Sequence, residues 1–280
     1  LTLWTRADAG VVKDAAGNVS QWRDLSGNNN HFTQSAPGNR PTLTSSNANF
    51  NGRPSLTFNT SQYMTNLTNI GGGGNVAYTM FTVSRLSGGT NARLLSSAST
   101  NWLLGYWGGY VDRAYTNNWI AGSSTSVNSV AHMYSISSSG TGGNGTVFYD
   151  YGNVIATGTA GTPNAPGVIQ LNGYSGGLNE MSNGEVCEVI YYNRVLTNSE
   201  RQLVEGYLAF KYNLSSPIVS HQAYQTYSNG NTRTFQAADA AGNRASSSAP
   251  SVALTSYPAP LVTNPATPAC NSMTFTTSSM

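Results

Sequence analysis

The chain has 280 residues, of which only 9% are charged, and its formal net charge is +2. About a quarter of the residues in an average globular chain are charged. The aromatic content of 10% excludes a disordered chain. The small net charge, without a basic cluster, excludes a nucleic-acid surface, and no apolar run is long enough for membrane insertion. We therefore expect an extracellular or cell-surface β-protein, either a processed mature form or a piece of a longer chain.

The first 214 residues contain short β-branched and aromatic segments separated by turn residues, which is typical of an all-β fold. The segment YTMFTV at residues 78–83 predicts a central strand. Residues 148–155 predict a tight hairpin with Gly152 and Asn153 at positive φ. The predicted strands span residues 19–24, 55–58, 78–83, 93–96, 102–106, 131–136, 146–151, 154–157, 168–171 and 185–192.

One segment near residue 200 has the pattern of a helix. Thr197 and Glu200 form a capping box, with the threonine as N-cap. Asn213 suits the left-handed residue that follows a helix. We predict one helix that ends before Asn213 and caps an open end of the sandwich. Its helical stripe consists of Leu203, Val204, Tyr207, Leu208 and Lys211.

The composition changes after residue 214, where Ser, Thr, Ala and Pro dominate. Residues 232–238 predict a strand and residues 239–243 a turn, whereas five later prolines break the remainder into extended pieces. So few large apolar residues make a poor independent core. We therefore predict two regions, a sandwich over residues 1–214 and a β-rich tail over residues 215–280. The tail either packs on the sandwich or belongs to a module that is completed elsewhere.

Three groups of motifs follow one another along residues 1–214. They are LWTRAD at 3–8 with VSQWRDLSGN at 19–28 and NGRP at 51–54, NWLLGY at 101–106, and GEVCEVIYYNRVL at 184–196. In order and spacing they resemble bacterial concanavalin A-like (laminin-G-like) lectin and glucanase domains. This resemblance implies an all-β, two-sheet antiparallel jelly-roll sandwich, as found in large secreted or surface adhesin-type proteins. FQAADAAGN at residues 235–243 resembles the last hairpin of bacterial Ig-like adhesin repeats, so the tail is a partial Ig-like module or an extended segment.

Groups that carry out catalysis are few in this sequence. Glucanases of this kind place two carboxylates on one strand face, about 5 Å apart. Glu185 and Glu188 are three positions apart and would face opposite sides of a regular strand. His31, His132 and His221 have no acidic neighbours in sequence, and we expect His132 to be a hydrogen-bonded sheet residue rather than a base. No serine-hydrolase, zinc-protease or phosphate-loop motif occurs, so we expect no enzymatic activity.

An oxygen-rich turn, DLSGNNN at residues 24–30, is the candidate for calcium. Calcium takes about six to eight oxygen ligands, with carboxylates supplying charge. Asp24 would therefore need Asp8, Asp14 or a more distant carboxylate beside it. An Asx-turn that stabilises the loop explains the same residues. Both interpretations stay open, and we expect no required cofactor.

The chain contains two cysteines, Cys187 and Cys270. Two cysteines exclude a Cys₄ or Cys₂His₂ metal centre unless it is shared between chains. In an exported protein an even pair favours one disulfide, which here would tie the tail to the main body. Two buried free thiols are the alternative.

Residues 102–119 interleave aromatic residues with Gly, Asn and charged residues. Aromatic faces stack on the C–H side of a sugar ring, and planar polar groups bond its hydroxyls. Trp102, Trp119 and Tyr106 can alternatively belong to the sandwich core. The predicted carbohydrate-binding residues are Trp107, Tyr110, Asp112 and Arg113.

Three functions are compatible with these patterns. The first is a non-catalytic, lectin-like adhesion module that recognises polysaccharide or a cell-surface glycan. The second is a structural subunit of an extracellular filament, sheath or adhesin stalk, in which an unpaired tail strand joins a neighbouring copy or an adjacent module. The third is a polysaccharide-degrading enzyme.

Overall fold

A computed structural model describes residues 1–88, 92–121, 128–141, 145–158 and 162–214, and the strands at 235–238 and 244–247. Within these ranges the chain is mostly β-structure with one α-helix, which confirms the predicted all-β, two-sheet antiparallel sandwich. The helix is α1 (Asn198–Tyr212), and two short 3₁₀ turns lie at Pro37–Asn39 and Ala48–Phe50. The strands are β1 (Leu3–Arg6), β2 (Val11–Lys13), β3 (Val19–Trp22), β4 (Phe32–Thr33), β5 (Thr42–Asn47), β6 (Arg53–Phe58), β7 (Met64–Asn66), β8 (Tyr78–Leu86), β9 (Leu95–Ser97), β10 (Trp102–Trp107), β11 (Tyr110–Thr116), β12 (Trp119–Ala121), β13 (His132–Ser138), β14 (Thr146–Asp150), β15 (Asn153–Gly158), β16 (Ile169–Leu171), β17 (Gly184–Tyr192), β18 (Phe235–Ala238) and β19 (Arg244–Ser247).

Two antiparallel sheets form the sandwich. The eight-stranded sheet has the order β15-β14-β13-β8-β17-β6-β5, with β1 also paired to β17. The nine-stranded sheet has the order β12-β11-β10-β9-β16-β7-β4-β3-β2. Neighbours in both sheets come from distant parts of the sequence, so residues that are far apart along the chain meet between the sheets.

The core between the sheets is built from residues that alternate along each strand. In β8, Tyr78 and Met80 face the inner core, whereas Phe81 and Val83 face outward to a second apolar cluster. The inner core takes its largest side chains from both sheets, among them Trp22, Trp102, Tyr106 and Tyr134. Because β8 is apolar on both faces, the eight-stranded sheet must be covered on its outer side too.

Helix α1 provides that cover. Thr197 accepts from the backbone N–H of Glu200, the Glu200 carboxylate accepts from the N-cap backbone, and Asn213 ends the helix with a φ of 55°. The predicted helix and its caps are therefore confirmed. Its apolar side packs on the outer face of the eight-stranded sheet, against Phe81 and Ile190. The expectation that the helix caps an open end of the sandwich is wrong, because the apolar surface in need of burial lies on a sheet face.

Strand β17 contains a β-bulge, since its pairing with β8 shifts between Val186 and Glu188. Val186 faces the inner core, whereas Cys187 belongs to the outer cluster beneath the helix. Glu185 alternates with Val186 and so faces outward, and Glu188 faces outward to reach Lys211 of the helix. The expectation that Glu185 and Glu188 face opposite sides is therefore wrong, because the bulge resets the alternation.

Cys187 is fully buried and forms no disulfide with any described residue, and burial raises the pKa of its thiol well above the usual value. Cys270 lies outside the described residues, so the disulfide between the two stays a prediction.

The hairpin between β14 and β15 differs by one residue from its prediction. Tyr151 and Gly152 have the positive φ angles, 49° and 79°, and Asn153 already begins β15. In the tail, β18 pairs antiparallel with β19, so a strand lies within the predicted segment 232–238, whereas the predicted turn at residues 239–243 lies outside the described residues. The division of the chain at residue 214 stays a prediction.

Candidate functional site

An exposed group of side chains lies on the outer face of the nine-stranded sheet, and we call it the aromatic surface. Two of its strands, β10 and β11, are joined by a tight turn in which Gly108 and Gly109 have φ angles of 62° and 87°. Strand β12 then returns alongside β11. The aromatic surface consists of Trp107, Tyr110, Arg113, Tyr115 and Trp119.

The rings of the aromatic surface contact one another. The ring centroids of Trp107 and Trp119 are 5.4 Å apart, and those of Tyr115 and Trp119 are 5.2 Å apart. The Arg113 guanidinium carbon lies 4.7 Å from the centroid of Tyr110 and 5.6 Å from that of Trp119. Such mutual packing restricts the side chains, so a ligand would lose less free energy in ordering them.

Large apolar area at this site is open to solvent. The exposed fractions of Trp107, Trp119 and Tyr110 are 37%, 43% and 36%. An exposed cluster of aromatic residues beside charged groups is a usual feature of a binding surface. The arrangement offers flat apolar faces for stacking, together with a guanidinium that can donate several hydrogen bonds.

The aromatic surface continues through two polar groups. Indole Nε1 of Trp107 donates to Glu180 Oε2 at 3.2 Å, and Glu180 is also ion-paired with Arg93. The Arg93 guanidinium carbon lies 4.1 Å from the ring centroid of Tyr174. Glu180 holds Trp107 in place, and its own charge is balanced by an arginine. Glu180, Arg93 and Tyr174 were not predicted as site residues, because they come from other segments that only the fold brings here.

Three of the four predicted binding residues lie together, and Asp112 does not. Pairing of β10 with β11 shifts between Gly105 and Tyr106, which leaves Asp112 as an extra residue with a φ of 58°. The bulge turns this side chain inward, where its carboxylate accepts from the Tyr134 hydroxyl at 3.0 Å. Asp112 therefore lies between the two sheets, on the side away from Arg113.

The three aromatic residues that could have filled the core divide between two places. Trp102 and Tyr106 are completely buried in the inner core. Trp119 instead pairs with Tyr115 across the strands and belongs to the aromatic surface. Spacing alone did not separate them, because a bulge in β12, where Ile120 is the extra residue opposite the step from Ala114 to Tyr115, decides which face Trp119 takes.

A second group, between the sheets, joins Asp112 to His132 and Asp150. His132 Nδ1 lies 2.9 Å from Asp150 Oδ2, and one ligand atom from each of the three residues lies within 4.8 Å of the others. Burial raises the pKa of Asp150, and the hydrogen bond and charge of His132 oppose that rise. Burial also raises the pKa of Tyr134 well above its usual value, so the phenol stays protonated and donates to Asp112.

The expectation that His132 is a hydrogen-bonded sheet residue is confirmed. Its carboxylate neighbours were missed because they are close in space and not in sequence. The predicted strands were the signal that could have revealed these carboxylates. When the strands at 131–136 and 146–151 pair, Asp150 lies directly opposite Tyr134 and diagonally opposite His132.

The turn considered for calcium is held together by hydrogen bonds. Oδ1 of Asp24 accepts from the backbone N–H groups of Trp4 and Ser26, and Oδ2 accepts from the Ser26 hydroxyl and the N–H of Asn30. This geometry is that of an Asx-turn extended into a loop anchor. Asp8 and Asp14, the other carboxylates considered, bond instead to Lys211 and to Asn18.

No family model matches the chain, and no curated protein matches it. Solved structures do. An arabinofuranosidase complexed with arabinofuranosyl-alpha-1,2-xylobiose is 15% identical with a TM-score of 0.50, over 70% of this chain and 51% of that chain. Domain 4 of the extracellular GH43 arabinanase AbnA from Geobacillus stearothermophilus, in complex with arabinotriose, is 14% identical with a TM-score of 0.49, over 71% and 95%. The binding domain of Paraclostridial Mosquitocidal Protein 1 is 14% identical with a TM-score of 0.49, over 74% and 52%.

The chain thus spans about half the length of the arabinofuranosidase chain and of the mosquitocidal-protein chain. At these identities the similarity concerns the fold, and the fold is a β-sandwich. None of the helices in the described ranges has the length and apolar character needed to cross a membrane.

Proposed function

We propose that this chain is a non-catalytic, extracellular carbohydrate-binding module that holds a polysaccharide or a cell-surface glycan on its aromatic surface. The observation that carries the proposal is the contact of Trp107 with Trp119 on an exposed sheet face. Two indoles fixed at this distance offer apolar faces to sugar rings, which bury their C–H groups against them.

Arg113 supplies the polar part of this proposed site. Its guanidinium lies beside Tyr110 and Trp119, and its buried Nε has no hydrogen-bond partner among the described residues. Its planar donors can bond ring hydroxyls or a sugar carboxylate at the edge of the aromatic surface. The arabinofuranosidase that shares the fold was solved with a bound oligosaccharide, which is compatible with this proposal.

The positions of the carboxylates support the non-catalytic part of the proposal. All five glutamates of the chain lie in the described ranges, and each is paired with an arginine or a lysine. The described cluster that combines carboxylates with an imidazole has His132 and Asp150 only 4% and 8% exposed. A polymer chain has no access to such buried groups, whereas it has access to the aromatic surface.

A glycan array, followed by pull-down on insoluble polysaccharides, tests the proposal. We expect the full chain to bind at least one glycan class, and Trp107→Ala and Trp119→Ala to lose that binding. Leu203→Ala is the matched control, because Leu203 is 54% exposed on the helix, which covers the other sheet. Equal binding by all four proteins, or none by the wild type, would overturn the proposal.

An assay for reducing ends on the bound polysaccharide tests the absence of catalysis. We expect no release above that from a heat-denatured sample. Release that Glu185→Gln abolishes would instead support the polysaccharide-degrading alternative.

A further inference from the structure

The cluster of Asp112, His132 and Asp150 is assembled by the fold from three strands. His132 and Asp150 come from neighbouring strands of the eight-stranded sheet and face the inner core, as do Tyr134 and Phe148 beside them. Asp112 comes from β11 of the nine-stranded sheet. Each residue offers one ligand atom, and these three atoms lie within 4.8 Å of one another.

The hydrogen bonds of His132 determine which of its nitrogens faces the carboxylates. Oδ1 of Asn128 accepts from the backbone N–H of Val130 at 3.2 Å, which identifies this atom as the amide oxygen. Nε2 of His132 lies 2.9 Å from the same oxygen and therefore donates its proton to it. Nδ1, on the other side of the ring, lies 2.9 Å from Asp150 Oδ2. Two acceptor atoms this close need a cation between them, either a metal ion or a proton on Nδ1.

Asp150 provides a second, independent sign of a missing partner. The residue is only 8% exposed, and its other oxygen, Oδ1, is buried with no hydrogen-bond partner in the described part of the chain. A buried carboxylate oxygen without a partner is unfavourable, because it has lost its hydrogen bonds to water and gained none in the fold. No described group of the protein donates a hydrogen bond to Oδ1 of Asp150, so this oxygen can bind a metal ion.

We propose that Asp112, His132 and Asp150 bind one divalent transition-metal ion, of which Zn²⁺ is the best match. One imidazole nitrogen with two carboxylates is a donor set suited to zinc, whereas calcium prefers oxygen ligands alone. The ion would occupy the space between Nδ1 and the two carboxylates, and solvent would complete its coordination.

The groups around the cluster are those of a metal site. Asn128 fixes the His132 ring through Nε2, and Tyr134 donates to Asp112. Outer hydrogen bonds of this kind orient metal ligands and raise affinity. Asp112 is partly exposed, which leaves a path from solvent to the otherwise buried cluster. A metal here would join β11 to β13 and β14, and so clamp the two sheets together.

Metal titration of the full chain tests the proposal without relying on any variant. After dialysis against a chelator, we expect one equivalent of Zn²⁺ by calorimetry, a higher melting temperature with Zn²⁺ present, and a shift of the His132 ¹⁵N ring resonances. Co²⁺ should bind at the same stoichiometry and give visible absorption bands. Ca²⁺ at equal concentration should have no such effects.

Variants then locate the ion. Asp112→Asn and Asp150→Asn should each weaken Zn²⁺ binding at least tenfold, and Asn128→Ala, which removes an outer hydrogen bond, about tenfold or more. Asp14→Asn is the control, because its carboxylate bonds only within its own turn, and His221→Gln controls for another histidine. Their affinities should equal that of the wild type. The proposal would be overturned by an absence of Zn²⁺ binding, by a preference for Ca²⁺, or by unchanged Zn²⁺ affinity in both aspartate variants.

Discussion

The indole rings of Trp107 and Trp119 lie 5.4 Å apart on the outer face of the nine-stranded sheet, although they belong to strands that are not adjacent. Strand β11 lies between their strands, and its Arg113 and Tyr115 side chains complete the aromatic surface. The Trp107–Trp119 contact depends on two bulges, one at Asp112 in β11 and one at Ile120 in β12, since each bulge resets which residues face outward.

Gly105 lies at the bulge and Gly108 in the turn between β10 and β11, and together they test how far each local structure depends on glycine. A Cβ on Gly105 would lie 2.6 Å from Cδ2 of buried Tyr134, and its φ is +96°. Gly108 has a φ of +62° but open space around it. We expect Gly105→Ala to lower the free energy of unfolding by about 2–4 kcal/mol and Gly108→Ala by about 1 kcal/mol. Urea unfolding measures both, and equal losses would contradict the steric explanation.

Arg113 tests whether the shape of the guanidinium matters as well as its charge. Arg113→Lys keeps the positive charge but loses the planar donors and the stacking on Tyr110 and Trp119. We expect both Arg113→Lys and Arg113→Ala to weaken glycan binding by about five- to tenfold, while the unfolding transition changes little. Calorimetry with the glycan found on the array provides the measurement. Full affinity in Arg113→Lys would show that charge alone is sufficient.

The buried ion pair beneath the helix is predicted to matter greatly for stability. Lys211 Nζ lies 2.8 Å from Glu188 Oε2, and both side chains are completely buried. Lys211→Met should cost about 3–5 kcal/mol, because Glu188 is left charged without its cation. The double variant Lys211→Met/Glu188→Gln should recover part of that loss. Chemical denaturation of the wild type, both single variants and the double variant measures these losses, and losses that simply add would contradict the pairing argument.

Glu200 makes stability depend on acid pH. The hydrogen bond from Arg194 lowers the pKa of Glu200 to about 2, below the usual value of about 4.3. Its charge therefore stabilises the fold above about pH 4, and this contribution disappears as the pH falls towards 2.

Glu200→Gln isolates this charge, since glutamine still serves in a capping box. We expect the variant to be less stable than the wild type by no more than about 1 kcal/mol at pH 7, because such exposed pairs are weak. The two proteins should converge near pH 2. Thermal unfolding across this range is the measurement, and a constant difference at every pH would count against the charge effect.

The sequence predicted the elements whose stability comes from local pattern. Strands β8 and β17 are apolar and β-branched along their length, and α1 has both caps written in the sequence. Strand β5 was missed because its residues, TLTSSN, are mostly small and polar, and only its pairing with β6 makes it a strand.

The candidate sites were harder to predict because bulges control them. Trp107, Tyr110 and Arg113 were correctly grouped, since they are close in sequence and lie on one hairpin. Asp112 was placed with them wrongly, because one extra residue in β11 turns it inward. Bulges have no reliable mark in a single sequence, so the face of a strand residue beyond a bulge cannot be derived from period-two alternation.

Glycan binding at the aromatic surface can be observed in backbone and indole ¹H–¹⁵N spectra of the full chain, recorded as the array-selected oligosaccharide is added. Trp22 and Trp102 are completely buried and act as controls within the same molecule. We predict that the indole resonances of Trp107 and Trp119 shift in proportion to saturation while those of Trp22 and Trp102 stay fixed. Unchanged Trp107 and Trp119 resonances in the presence of bound sugar would show that the glycan binds elsewhere on the protein.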